Sequence, residues 1–456
     1  MVDITPFLPG LSPVQGKAVV GRFDGGRLSS EGGLLALREI ERRLGLADRL
    51  AACLKDKRAP EKVVHRLAEI IRFRMLMIAA GYEDGNDADS LRSDPMFKLA
   101  LDRLPSGEEL CSQSTISRLE NLPDMRALLR LGRALIEQYC GSFRAVPERI
   151  VLDIDDTFDR VHGGQQLRLF NAYYDDYGFQ PIVVFDGEGR FVTALLRPGK
   201  RPGGVEIRAF VRRLIGAIRA HWPKVEILLR PTGQARGLKA HDSHYAAPEV
   251  FDWCRANRVD WIFGLAPNVA LSRHVAALEK STATRFRAAP GRGKVRRFAQ
   301  FYDAAQSWRR VERIIARVEA GPEGTDTRYI VTNLEGGRAK HLYEGLYCAR
   351  GQAENHIKAW KNHLAADRTS CHAAEANQFR LFLHAGAYWL LWSMRRVMPK
   401  RSAWRVVPFD TLRLRLIKLA ARVVELKTQL KIHLPSSAPD QPIFAMLIAR
   451  LPRLVT

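Results

Sequence analysis

The sequence predicts an α/β protein centred on a mixed sheet with flanking helices, and three observations carry that reading. The segment RIVLDIDD (Arg149 to Asp156) alternates, with Ile150, Leu152 and Ile154 on one face and Val151, Asp153 and Asp155 on the other. That is the period of a strand. Ahead of it, residues 1–145 carry apolar side chains mostly at helical spacing. From it onward the elements run three strands, helix, strand, helix, strand, this segment being the first, so the helices must pack on the sheet that the strands build.

Taken in order, Ser29 and Ser30 precede Leu34, Leu35, Leu37, Ile40 and Leu44, a helix start followed by 3.6-residue periodicity. A second helical run, Val63 to Ala80, holds Arg66, Arg72 and Arg74 among apolar residues. The acidic stretch GYEDGNDADS (Gly81 to Ser90) lacks the ligand spacing of a calcium loop and is expected to be a solvated turn. SQSTISRLENL (Ser112 to Leu122) has the small, polar texture of a helix-turn-helix, a texture that ordinary helix starts share. After Asp156, PIVVFDG (Pro181 to Gly187) and RFVTALLR (Arg190 to Arg197) read as strands joined by a turn. A helix from about Val205 to His221, the strand KVEILLR (Lys224 to Arg230), the helix AAPEVFDWCRAN (Ala246 to Asn257) and the strand VDWIFGLA (Val259 to Ala266) follow. This is the order of a ribonuclease H-like core.

Residues 269–342 break the pattern. VERIIARVEA (Val311 to Ala320) and RYIVTNL (Arg328 to Leu334) look like strands across the turn GPEGTD, after a basic stretch with Arg292, Lys294, Arg296 and Arg297. The expected organisation is therefore a helical domain over 1–145, a candidate for DNA-end binding, and the first part of the core over 146–268. A strand-rich inserted subdomain over 269–342 follows, then the rest of the core over 343–395 and a basic helical region over 396–456. The most apolar run, Leu381 to Met394, is too short to span a bilayer and reads as a buried helix.

Charge narrows the partner. Lys and Arg number 72 against 49 Asp and Glu, a formal charge of +23, spread along the chain. Such an excess favours a polyanion, nucleic acid ahead of a membrane surface. The first residues lack the pattern of a secretory signal, and six scattered cysteines without a CxxC pair argue for reduced thiols in a cytosolic protein and against a zinc module.

Chemistry concentrates in YCARGQAENHIKAWK (Tyr347 to Lys361). On a regular helix Tyr347, Arg350, Glu354, Lys358 and Lys361 share one strip beside Ile357, Trp360 and Leu364. One carboxylate ringed by cations suits a helix where Glu354 holds a metal and Arg350, Lys358 and Lys361 hold phosphates, although solvated ion pairs on an amphipathic helix give the same pattern. Asp153 and Asp155 on the first strand, and Asp242 after the fourth, complete a hard-oxygen set that prefers Mg²⁺ or Mn²⁺ as a pair of ions. A glycosidase is disfavoured, because its site needs two acids.

These residues resemble the DDE transposases of bacterial insertion sequences, and most closely the insertion sequence 1380 type. The resemblance rests on the spacing Tyr347, Arg350, Glu354, Lys361, on RGQAENHIKAWKNHLAADRTSC with NQFRLFLHAGAYWLL, and on LDIDDTFDRVHGGQQ and HDSHYAAPEVFDWC, and it runs from about Gly25 to Leu451. It implies a catalytic and metal-binding triad of Asp155, Asp242 and Glu354, with Tyr347, Arg350 and Lys361 positioning DNA ends. It also implies double-stranded DNA as partner, a homodimer assembled on that DNA, a cytoplasmic, nucleoid-associated location, and a strand-rich insertion whose Trp308 stacks on an unpaired base. Asp153, Asp155 and Asp156 are neighbours; Asp155 heads the Asp-x-Thr unit and is preferred, with Asp153 as a further ligand. One departure stands out: the family keeps arginine and aspartate close after the fourth strand, whereas PTGQARGLKAH separates Arg230 from Asp242 here. The expectation is that this insertion loops out and leaves Asp242 beside Asp155. The alternative is a DNA-binding protein without catalysis.

Overall fold

The computed structural model describes residues 8, 10–231, 242–288 and 293–451, with backbone alone at Asp242 and Ser243. The chain divides into two compact units, Pro123–Ala385 and a second made of Met1–Leu122 with Gly386–Thr456. The helix Ala374–Val397 starts in the first and ends in the second.

In the second unit the two ends of the chain are woven together, a division different from separate domains over 1–145 and 396–456. Strand Leu28–Ser29 pairs antiparallel with Ala421–Glu425, which pairs in turn with Leu430–His433. Gly32 and Gly33 donate backbone hydrogen bonds to the carbonyls of Leu419 and Ile417. A Cβ on Gly33 would lie 1.8 Å from the Leu416 carbonyl oxygen, so only glycine permits the approach. The helix Leu34–Leu44 forms as the periodicity predicts, and the second, Leu67–Ala80, starts four residues after the expected Val63. Both end on a left-handed glycine, Gly45 and Gly81. The polar segment at Ser112 forms the helix Gln113–Glu120, and the helix after it belongs to the other unit.

The unit Pro123–Ala385 is built on one eight-stranded sheet. Its elements are α1 (Met125–Gly141), β1 (Arg149–Asp156), β2 (Ile182–Asp186), β3 (Phe191–Leu195), α2 (Gly204–His221), β4 (Glu226–Pro231), α3 (Pro248–Ala256), β5 (Asp260–Leu265), α4 (Val269–Arg287), β6 (Val295–Asp303), β7 (Glu312–Gly321) and β8 (Gly324–Thr332). The strand order is β6-β7-β8-β5-β4-β1-β2-β3. β1 is parallel to β4 and antiparallel to β2, and β4 is parallel to β5. The first five strands thus give the ribonuclease H-like order, with β1 at its centre.

The residues expected as an inserted subdomain instead extend this sheet. β8 pairs antiparallel with β5, from Tyr329 opposite Leu265 to Thr332 opposite Ile262, and β7 and β6 add outward. Arg296 and Arg297 of the basic stretch before the hairpin lie in the edge strand β6. Lys294 bridges Glu319 at 2.7 Å and Arg296 binds the same carboxylate. Burial pulls the Glu319 carboxyl upward, but these cations outweigh it and hold it down at about 2.

β1 is covered on both faces. Leu152 and Ile154 are buried on one, Asp153 and Asp155 on the other. The alternation that identified the strand therefore separates an apolar core from a buried acidic face, not core from water.

Candidate active site

The acidic face of β1 is organised by its neighbours in register. Asp153 stands opposite Arg230 on β4, and the guanidinium grips both carboxylate oxygens, at 2.5 and 2.8 Å. The third arm of Arg230 donates to the Leu346 carbonyl at 2.6 Å. Burial raises the Asp153 carboxyl and the arginine opposes that rise. Both oxygens of Asp153, expected as a further metal ligand, are thus engaged by a buried guanidinium. Asp155, two residues on, is 3% exposed and accepts the Asp156 backbone N–H at 2.9 Å.

Asp156 points the other way and holds the second motif in place. Its Oδ1 lies 2.8 Å from His244 Nε2, and its Oδ2 accepts from the Gln180 amide. Burial would raise this carboxyl, but the bond and charge of His244, with Gln180, hold it below the ordinary range. β4 ends at Pro231, and the chain reappears as the short 3-10 turn Asp242–Tyr245. Residues 232–241, the expected outward loop, and the Asp242 side chain lie outside the described residues. The His244 to Asp156 contact nevertheless returns the turn that begins at Asp242 to the last residue of β1, one position beyond Asp155 in the chain. His244 was not anticipated from the sequence, where its signal is a histidine two residues beyond the candidate aspartate.

The glutamate-bearing segment crosses the same sheet face. Tyr343 and Tyr347 pack with Leu228, Ile262, Ile315 and Ile330 over β4, β5, β7 and β8. Farther along, the His356 ring lies 5.8 Å from Phe185, and Trp360 lies 5.7 Å from Phe191, over β2 and β3. Arg313 fixes the approach to it, donating to the carbonyls of Leu334, Glu335, Gly336 and Gly337 at 2.8 to 3.0 Å.

The segment is not one regular helix. A π-helical stretch (His341–Tyr347) and a 3-10 turn (Cys348–Arg350) lead into α5 (Gly351–Lys358), and a second π-helical stretch (Ala359–His363) follows. Widened turns rotate successive side chains by less than 100°, so the strip predicted for Tyr347, Arg350, Glu354, Lys358 and Lys361 breaks up. Tyr347, expected to position DNA ends, is buried in the core, and it carries the buried Arg350 guanidinium 4.4 Å from its ring centre. Glu354 and Lys358 are exposed.

Lys361 turns inward. Its ammonium donates to the Thr157 hydroxyl at 3.0 Å and to the Phe158 carbonyl, and it lies 2.9 Å from an Asp159 oxygen without a well-aligned hydrogen bond. It therefore clamps this segment to the exit of β1. The expected base-stacking residue, Trp308, is half-buried in the β6 to β7 connection, edge-on to Phe251 at 5.2 Å.

Asp159 is fully buried, and burial lifts its carboxyl to about 6 against the pull of Lys361. The folded state then holds a proton that the unfolded state has already released. Stability conferred at low pH is lost as pH rises from the ordinary carboxylate range through about 6. Asp159→Asn should lack this slope, so its stability relative to the parent should shift by on the order of 3 kcal/mol across that window. Denaturant midpoints for both proteins at several pH values check it; parallel profiles would refute it.

Among the described residues no group of three histidine, cysteine, aspartate or glutamate side chains is gathered closely enough to hold a metal. The expected set of Asp155, Asp242 and Glu354 would supply only carboxylate oxygens, a donor chemistry that suits a hard divalent cation; the Asp242 side chain lies outside the described residues. No helix among the described residues is long and apolar enough to cross a membrane. A search of curated proteins finds no match. A family model described as transposase DDE domain group 1 matches residues 11–456. Its span takes in every element of the sheet, the turn at Asp242 and the glutamate segment, and the chain belongs to the DDE-domain transposases of group 1.

Proposed function

We propose that this transposase cuts DNA at the ends of its element and joins the freed 3′ hydroxyl to target DNA, with Asp155, Asp242 and Glu354 as its catalytic carboxylates. The observation that carries the reading is the His244 to Asp156 contact, which brings the Asp242 turn to the strand end that holds Asp155. The exposed Glu354 of α5 belongs to the segment crossing that face. The spacing of Tyr347, Arg350, Glu354 and Lys361 supports the insertion sequence 1380 type within the family.

The three carboxylates would hold Mg²⁺ or Mn²⁺. When bound, such ions supply Lewis-acid stabilisation of the charge that builds on the phosphate during in-line displacement. The chain's own residues do the rest. Arg230 neutralises Asp153 so that the acidic face carries less repulsion, Lys361 and Arg313 fix the glutamate segment, and Lys358 offers an exposed cation to a DNA phosphate. The partner is double-stranded DNA bearing the element's inverted repeats, engaged by a homodimer that pairs two ends.

The test is incubation of the full chain with a fragment carrying the inverted repeats that flank its gene. Cuts at the repeat boundary with Mg²⁺ or Mn²⁺, and none with a chelator, are expected. Tight binding of that fragment with no cutting under any divalent ion would make the chain a non-catalytic DNA binder. Lys358→Ala should lower affinity for all sequences and flatten the dependence of log affinity on log salt by about one phosphate contact. Filter binding over a salt series reads this; an unaltered slope would remove Lys358 from the interface.

A further inference from the structure

Between β1 and β2 the chain builds a small lobe, a three-stranded antiparallel sheet in which Asp176–Phe179 lies between Asp159–Arg160 and Leu169–Asn171. We infer that this lobe is a binding surface for unpaired nucleotides of the DNA strand that reaches the β1 aspartates. The inference rests on the DNA-cutting reading above and names a site which that reading does not use.

Three aromatic side chains stand out of the lobe into solvent, Phe170 at 49%, Tyr173 at 54% and Tyr177 at 46% exposure. Phe170 and Tyr177 are cross-strand partners with ring centres 5.4 Å apart. The Arg168 guanidinium lies 4.8 Å over the Tyr177 ring, and the largely exposed Arg160 pairs with Asp176 at 2.5 Å. Clustered exposed rings forfeit burial and mark an interaction site. Rings interleaved with arginines suit a flat, anionic ligand, and an unpaired base with its phosphate has both properties.

The lobe is a rigid frame. Tyr174 stacks on Phe158, with ring centres 4.3 Å apart and planes 8° apart. A Cβ on Gly178 would lie 2.4 Å from the Asp159 carbonyl oxygen, and one on Gly199 would lie 2.4 Å from the Gly178 carbonyl oxygen, so backbone meets backbone there. The backbone that carries the rings is thus closely packed, which lowers the entropy lost on stacking a base.

Its position relative to the acidic face is also fixed. Asn171 donates to Gln180 at 3.2 Å, and Gln180 donates to Asp156, so one hydrogen-bond chain runs from the lobe to the residue next to Asp155. The Phe158 carbonyl, beneath the stacked Tyr174, accepts from Lys361 of the glutamate segment. The chain's charge of +23 favours a nucleic acid over an apolar partner.

The experiment uses the full chain carrying Asp155→Asn and a duplex oligonucleotide with a single-stranded overhang containing 2-aminopurine, beside a blunt duplex. The parent should bind the overhang and quench the probe. Adding Phe170→Ala with Tyr173→Ala should cost about tenfold or more in overhang affinity and abolish quenching, while blunt-duplex affinity and the salt slope stay unchanged. Phe170→Trp should retain quenching. Unaltered overhang affinity and quenching in the double variant would overturn the inference. So would a parent that does not bind the overhang, or a change of oligomeric state in DNA-free light scattering, which would assign the rings to a second copy. Cutting by the unmodified chain is scored separately. A protein that cuts but ignores the aromatic changes loses this inference alone; one whose rings quench the probe but that never cuts keeps it and loses the cutting reading.

Discussion

Asp155→Ala is expected to eliminate metal-dependent cutting of end DNA, by orders of magnitude, while DNA binding persists. Asp155 sits buried at the end of the central strand with its Oδ1 held by the next backbone N–H. Alanine at that place removes the charge that would hold a divalent ion without touching the cations that bind phosphate. Glu354→Ala and Asp242→Ala should behave alike. Asp153→Ala should not: it would strand the Arg230 guanidinium inside the sheet and reduce folded protein first. The measurements are gel-resolved cleavage, binding of the same fragment and thermal midpoint, taken together. An Asp155→Ala protein that still cuts would remove this residue from the reaction.

Arg230→Met is the largest stability change foreseen. The side chain is buried, grips both oxygens of Asp153 and ties Leu346 to β4. Removing it leaves a buried anion without its partner, a loss of about 3 to 5 kcal/mol. The Asp153 carboxyl, already raised by burial, should rise further. The loss is then greatest above the ordinary carboxylate range and partly regained on acidification, where both states are protonated. Arg230→Met with Asp153→Leu should recover much of the stability, because no charge is left to desolvate. Urea midpoints for the two single variants and the double variant close the cycle. Additive losses would mean the pair is not coupled.

The five strands of the central order were legible because each had a clear period and a clear neighbour in sequence. β1 spans Arg149–Asp156 as its alternation indicates, and β2, β3, β4 and β5 lie within a residue or two of their expected limits. β6 was hidden by the charges around it: Arg296 in the strand and Lys294 just before it both pair across to Glu319. The lobe strands, as short as two residues, are too brief to show a period. The pairing of Leu28 with Arg422 leaves no trace in local sequence at all.

At the site, the residue types were readable and their directions were not. A regular helix put Tyr347, Arg350 and Lys361 on one exposed strip, but π-helical turns on either side of α5 send Tyr347 into the core and Lys361 to Asp159. The role of Asp153 depended on register, since only the parallel pairing of β1 with β4 sets it opposite Arg230. His244 was out of reach for the same reason, as its partner lies 88 positions away in sequence.

The interwoven ends of the chain have a consequence for synthesis. Arg27 and Glu425, bonded in the terminal unit, are 398 positions apart, so at ribosomal speeds the early strand waits roughly 20 to 80 s for its partner to be made. The unit Pro123–Ala385 is contiguous and has no such wait. On a translating ribosome the sheet with its acidic face should therefore acquire structure before the terminal unit closes. A nascent chain halted near residue 385 would carry the chemical centre without the terminal sheet, and ribosome-arrested chains of increasing length, probed by limited proteolysis, should show protection arriving in those two separate steps.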